Sequence, residues 1–139
     1  MKKGFEMALR SVQALHAAGV HVIVGTDSPS LFVVPGFSVQ DELENFVEAG
    51  FTPFEAIAAA RRDAAEFLGA SQEFGTVAGG RRADLILVER NPLEDVGNIA
   101  HLLGVSARGR WFSESDLRGL LDDVARDYRE SKAQSQAAN

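Results

Sequence analysis

One stretch leaves the rest of the chain few options: Val22-Ile23-Val24-Gly25-Thr26-Asp27. Its apolar β-branched residues run on without alternation, then give way to a small residue, a hydroxyl and a carboxylate. A strand that reads this way is buried on both faces, as the strands of a parallel sheet are. Such a strand cannot satisfy its own N–H and C=O groups and needs neighbours to pair with. The first seventy residues or so contain only this one strand. The sheet it implies must be completed by partners, by domain swapping or by further sequence. The run also carries one acid, Asp27, to the rim of an α/β layer, where sites of that class are built.

The elements around it read as an αβ unit followed by two helices. Phe5, Ala8, Leu9, Val12 and Leu15 recur at helical spacing, which predicts a helix over Gly4–Ala18 with Gly19 as its stop. The strand is expected over Val20–Thr26. Residues 28–37 form a loop with Pro29, Pro35 and Gly36. Its apolar middle, Leu31 to Val34, suits packing over a pocket or a partner. Ser38 and Asp41 suggest a weak capping box for a helix with the stripe Val39, Leu43, Phe46 and Val47, ending at Gly50. Thr52, Pro53 and Glu55 open a further helix, with Ile57, Ala60, Ala64, Phe67 and Leu68 as its buried face and Gly69 as its end.

Beyond residue 70 the character changes. Gly79-Gly80 is a turn, and Ala83–Val88 is an apolar strand expected to be buried on both faces or at an interface. Asn91-Pro92 turns the chain again. A strand near His101–Ser106 pairs back through Arg108-Gly109 with Arg110–Phe112, and Trp111 and Phe112 are expected to fill the β core. Ser113 or Ser115 caps a last helix with the stripe Leu117, Leu120, Leu121, Val124 and Tyr128, which frays into the polar tail Ser131–Asn139.

Composition narrows the function. The 139 residues carry a net charge of −6, and the basic residues gather only as the pairs Lys2-Lys3, Arg61-Arg62 and Arg81-Arg82, which speaks against a nucleic-acid surface. The absence of cysteine removes disulfides, thiolate metal sites and cysteine nucleophiles, and fits a cytoplasmic setting. No apolar stretch is long enough to span a bilayer, and the N-terminus lacks the apolar core of a secretory signal, so no membrane partner is expected. The three histidines, His16, His21 and His101, do not cluster. His16 suits the C-terminal end of a helix dipole. Asp84 reads as an exposed ion pair with Arg81 or Arg82. Glu42, Glu44 and Glu48 read mostly as a solvated helix face, with Glu42 the one that faces the rim if any does. Gly79-Gly80 is no phosphate cradle, because no Lys-Ser/Thr and no helix follow it. Asp27 is left as the one candidate for chemistry, against a bland reading as a turn cap.

Three stretches, taken in order, resemble the C-terminal end of the metal-dependent amidohydrolase superfamily, in its imidazolonepropionase-like and prolidase-like branches. They are residues 19–27, residues 41–57 and residues 75–88, the last with its Gly-x-x-Ala-Asp-Leu core at Gly80–Leu85. The resemblance implies an α/β fold: the last strand and helices of a (β/α)8 barrel, part of a small composite β-sandwich, and a C-terminal helix. It implies a barrel part over 1–70, a sandwich part over 71–112, and a helix with its polar tail over 113–139. It implies hydrolysis of a C–N bond, in a cyclic or dipeptide-like amide, with a divalent metal (zinc first). Asp27 is then the residue that both binds metal and shuttles the proton. Ser28 and Pro29 match only the turn beyond it. The family's other ligands, histidines and a lysine on earlier strands, have no counterpart here. The resemblance therefore implies a C-terminal portion of a longer protein, or a reading frame truncated at Met1. It expects the missing barrel strands or self-association as partners, and a small-molecule amide as substrate. Arg61-Arg62-Asp63 also departs from the family pattern and implies different packing of that helix. The alternatives are a non-catalytic oligomerising α/β module derived from the fold, and a small-molecule binder with the 31–34 loop as its lid.

Overall fold

The computed structural model describes residues 2–28, 30–31 and 33–137. Pro29 and Phe32, and with them part of the expected apolar loop, lie outside the described residues. The architecture is mixed α/β. The helices α1 (Lys2–Ala17), α2 (Ser38–Glu48), α3 (Pro53–Ala60) and α4 (Arg62–Phe67) come first. Then follow β1 (Leu85–Val88), a 3₁₀ turn (Val96–Ala100), β2 (Leu102–Ala107), β3 (Arg110–Ser113) and α5 (Glu114–Ala137).

Glycine ends the early helices as the sequence predicts. At the end of α1 the Val20 N–H donates to the Leu15 carbonyl (3.0 Å) and the Gly19 N–H to that of His16 (2.9 Å), with Gly19 at φ +73°. This is the paired closure that a left-handed residue permits. Gly50 and Gly69 close α2 and the helical stretch over 53–67 in the same way. The Thr52–Glu55 capping box also forms. The Glu55 N–H donates to Thr52 Oγ1 (3.2 Å), the Thr52 N–H donates to Glu55 Oε2 (2.8 Å), and Pro53 follows at the first helical position.

The core sits among the helices. Leu43, Phe46, Ala49, Phe51, Ala56, Ala59 and Val96 are buried together, with Leu9, Val12, Val22, Val24 and Ile57 packed against them. Val96 belongs to the 3₁₀ turn, which the sequence reading missed. Asp95 caps that turn by accepting from the Gly97 N–H (2.9 Å), and the turn carries Val96 into the helical core.

Several expectations fail here. Val20–Thr26 forms no strand: it is extended but has no ladder among the described residues. A strand is defined by its partner, and the described residues supply none for this segment. Ser38 does not cap α2. It lies within the helix, and its hydroxyl accepts from the Val34 N–H (2.8 Å) while the tight turn at 34–37 leads the chain in. The helix over 53–68 breaks at Arg61 (φ −133°, ψ −70°). The loop at Gly75 packs closely against this break. A Cβ there would stand 2.6 Å from the Ala65 Cβ and 2.8 Å from the Arg61 carbonyl, so the returning loop presses on the interrupted turn. Gly75 is also at φ +94°, a conformation that disfavours any side chain. The buried face is Ala56, Ala58, Ala59 and Ala65, whereas Phe67 and Leu68 are exposed.

Residues 85–113 form a three-stranded antiparallel sheet in the order β1-β2-β3. Leu85 pairs with Ser106 and Ile86 with Val105, and Val105 also pairs with Phe112. Arg108 (φ +52°) and Gly109 make the hairpin turn, as expected. Leu85, Ile86 and Leu87 are exposed, so this chain does not bury β1 on both faces. Trp111 is 54% exposed rather than in a β core. Its ring lies across Gly104, where a Cβ would collide with it. The glycine leaves the space and the aromatic ring fills it. Ser113 caps α5 through a reciprocal pair with Asp116. The helix runs on to Ala137 instead of fraying at Ser131, and Leu120, Leu121, Val124 and Tyr128 stay exposed.

Candidate functional site

The segment that carries Asp27 is positioned from two sides. Val22 and Val24, two residues apart on extended chain, turn the same way and pack against the helical core. The Val24 N–H donates to the Ala59 carbonyl at the end of α3 (3.5 Å). The Gly25 N–H donates to Glu42 Oε1 on α2 (2.9 Å). Asp27 follows, exposed, at φ +51°. A left-handed backbone is uncommon for a residue other than glycine, though aspartate tolerates it better than most. The chain bends just beyond the acid, at Ser28.

Glu42 is the residue that sequence reasoning undervalued. It is half-buried, and its second oxygen, Oε2, is shut off from solvent with no hydrogen-bond partner among the described residues. Glu44 and Glu48 are exposed, as expected. The helical spacing of α2 holds the missed signal: buried Phe46 lies four residues beyond Glu42, one turn on along the same face.

The other candidates take structural roles. His16 stacks on Phe51 with ring centroids 3.7 Å apart, and its Nε2 lies 4.0 Å from the Glu55 carboxylate. Its place near the end of α1 matches the expectation. The hydrogen bonds from Thr52, backbone first and then hydroxyl, hold the Glu55 carboxyl below the usual carboxylate range. His21 opens the extended segment at the end away from Asp27. His101 follows the 3₁₀ turn, where its carbonyl accepts from the Glu89 N–H (2.9 Å). Asp84 pairs with Arg82 (2.9 Å), as expected, and also accepts from the Arg108 N–H (2.9 Å). The Ala-Asp step of the third stretch thus pins the hairpin turn, helped by Ser106 Oγ donating to the Ala83 carbonyl (2.8 Å). Gly79-Gly80 is a turn closed by the Arg81 N–H on the Ala78 carbonyl (3.2 Å).

Among the described residues no three His, Cys, Asp or Glu side chains come together as a metal site would require. The donor set therefore does not fit a metal centre built by this chain alone. A largely apolar cavity of about 540 Å³ lies between the helices and β1, lined by Leu43, Ile57, Phe74, Val77 and Ile86 among others. None of the segment 22–28 lines it.

Comparison with known proteins decides the family. The model of the amidohydrolase family matches residues 8–122. The chain belongs to the amidohydrolase family. The ochratoxinase of Aspergillus niger is 39% identical over 90 residues, covering 63% of this chain and 18% of the relative. Its crystal structure superposes with a TM-score of 0.64 at 34% identity, over 76% of this chain and 24% of that one. A Xaa-Pro dipeptidase with bound methionine gives a TM-score of 0.68 at 27% identity, over 76% of this chain and 25% of that one. A prolidase-like protein of Bifidobacterium longum gives 0.68 at 35% identity, over 83% and 30%. This amidohydrolase chain thus spans about a fifth of the curated relative's length and about a quarter of the structures. The family is in general metal-dependent, and the named relatives are hydrolases. No described helix is long and apolar enough to cross a membrane.

Proposed function

We propose that this chain supplies the Asp27 carboxylate to a C–N hydrolase site that strands outside it complete. Residues 1–70 are then the last part of a (β/α)8 barrel, 71–112 part of a composite β-sandwich, and 113–139 a C-terminal helix. The observation that carries this reading is the Asp27 segment: apolar, extended, unpaired, yet held in place by α2 and α3. The chain brings the acid and its support but not the partners of the strand. Asp27 is an acceptor and donor for the proton that moves from an attacking water to the leaving nitrogen, work that suits an exposed carboxylate at the end of a held segment. It is also the ligand this chain contributes if the completed site holds a divalent metal, zinc first. The substrate class is a small cyclic or dipeptide-like amide. The missing strands come from further sequence or another chain, and no nucleic acid or membrane takes part.

A second reading has its own support. β1 and the stripe of α5 expose Ile86, Leu87, Leu121 and Val124, as a module that self-associates without catalysis would. One experiment separates the two. The assembly that forms around the tagged chain in its own cells is isolated natively and assayed for amide hydrolysis, with Asp27→Asn alongside. The first reading expects hydrolysis, and a loss of about 10²- to 10⁴-fold in the variant. An assembly that hydrolyses nothing, or a variant at wild-type rate, overturns it.

A further inference from the structure

We infer that Glu42 is a positioning residue for Asp27: it fixes the backbone two residues before the acid and so sets where the carboxylate stands. The inference rests on the reading of Asp27 as the reacting carboxylate. Its physical basis is the placement of Glu42.

An extended segment without a sheet partner has nothing of its own to hold its backbone. Val22 and Val24 pack on the core, and among the described residues two hydrogen bonds reach the backbone of Val22–Thr26 from other elements. The Val24 N–H reaches the Ala59 carbonyl at 3.5 Å, the long limit of a hydrogen bond. The Gly25 N–H reaches Glu42 Oε1 at 2.9 Å, and an amide donating to a charged carboxylate makes the stronger kind of bond. Gly25 is the nearer of these two bonded positions to Asp27, whose backbone is left-handed. Glu42 is itself held firmly, because Leu43 and Phe46 on the same helix are core residues. The helical core is thus coupled to the acid through one side chain.

The second oxygen of Glu42 argues the same way. A surface glutamate keeps both oxygens in water. Here Oε2 is closed off and unpartnered among the described residues, which costs stability and needs a reason. A carboxylate that grips the backbone from a half-buried position gives that reason.

Amide hydrogen exchange by NMR on the full chain tests this directly. Glu42→Ala should speed exchange at Gly25 by about tenfold or more and shift the Asp27 signals towards unstructured values. The amides of Phe46, Ala56 and Ala59 should keep their rates. Unchanged exchange at Gly25, or equal acceleration throughout the core, overturns the inference. If Glu42→Ala does not fold, Glu42→Gln carries the test. Its amide oxygen accepts more weakly, so a smaller acceleration confined to Gly25 is expected. Wild-type exchange there, or a general acceleration, again overturns it. In the active assembly, Glu42→Ala should lower kcat about tenfold to a hundredfold with KM nearly unchanged, since it displaces the acid without touching substrate. The exchange result stands or falls without Asp27 being catalytic. Activity retained in Asp27→Asn would remove the functional reading while leaving the exchange result in force.

Discussion

In the helical half of the molecule Leu43, Phe46, Phe51 and Ala56 find their packing partners within the chain. In the half made of the sheet and α5, Ile86, Leu87, Trp111, Leu121 and Val124 face outward. Both halves follow the same local rules. Each has a reciprocal helix cap, Thr52 with Glu55 and Ser113 with Asp116, and each turns its chain through a residue at positive φ. The two halves share these local devices, but burial is satisfied only where α2, α3 and the 3₁₀ turn meet. The lesson is that an amphipathic pattern reports a demand for a partner and does not supply one.

The sharpest way to break this comparison is to cut into both halves. Leu43→Ala should cost about 2–5 kcal/mol in denaturant unfolding of the isolated chain, since Leu43 is 2% exposed. Leu87→Ala, at 52% exposed, should cost well under 1 kcal/mol by the same measurement. Equal costs would mean that β1 is already buried in solution, by a second copy or another partner. Next in size are the caps. Thr52→Ala should cost about 1 kcal/mol of global stability, because α3 is part of the core. Ser113→Ala should instead raise exchange only in the first turn of α5.

The caps also give a pH test. Hydrogen bonds from Thr52 (backbone, then side chain) lower the pKa of Glu55, and hydrogen bonds from Ser113 (side chain, then backbone) lower that of Asp116. A carboxyl lowered on folding adds stability above its unfolded value, about 4, and loses it as pH falls through the lower folded value. Carbon-detected titration should place both midpoints below ordinary carboxylates. Thr52→Ala removes the hydroxyl but keeps the backbone N–H, the larger cause, so it should bring Glu55 only part of the way back to the ordinary range and leave Asp116 where it was. The smallest effect expected is at α5: Leu121→Gln should change the isolated chain by less than about 0.5 kcal/mol. A larger loss would show that the stripe of α5 is already packed.

Helix ends were the most legible part of the sequence, because their signals are local. Gly19, Gly50 and Gly69 stop the helices where the sequence predicts, and Thr52-Pro53-x-Glu55 starts α3. The hairpin at Arg108-Gly109 was legible for the same reason. Ser38 failed as a cap for a local reason, the turn at 34–37, and other failures depended on distant contacts. The break at Arg61 sits against the loop at Gly75, a contact that no periodicity in 53–68 announces. The strand expected over Val20–Thr26 is only an extended segment, since strand formation needs a second strand. Val96 enters the helical core from a turn far along the chain. At the site, Asp27 was legible as a carboxylate after an apolar run. The grip of Glu42 on Gly25 was not, because seventeen residues separate them and the helix pattern marks that glutamate only as polar.

If the site is completed from outside the chain, elemental analysis of size-fractionated protein will show it. The single-chain fraction should hold no stoichiometric divalent metal. The assembly should hold bound metal, and the Asp27→Asn assembly should lose it. A wild-type single chain holding one tightly bound metal ion, unaffected by Asp27→Asn, would contradict completion from outside.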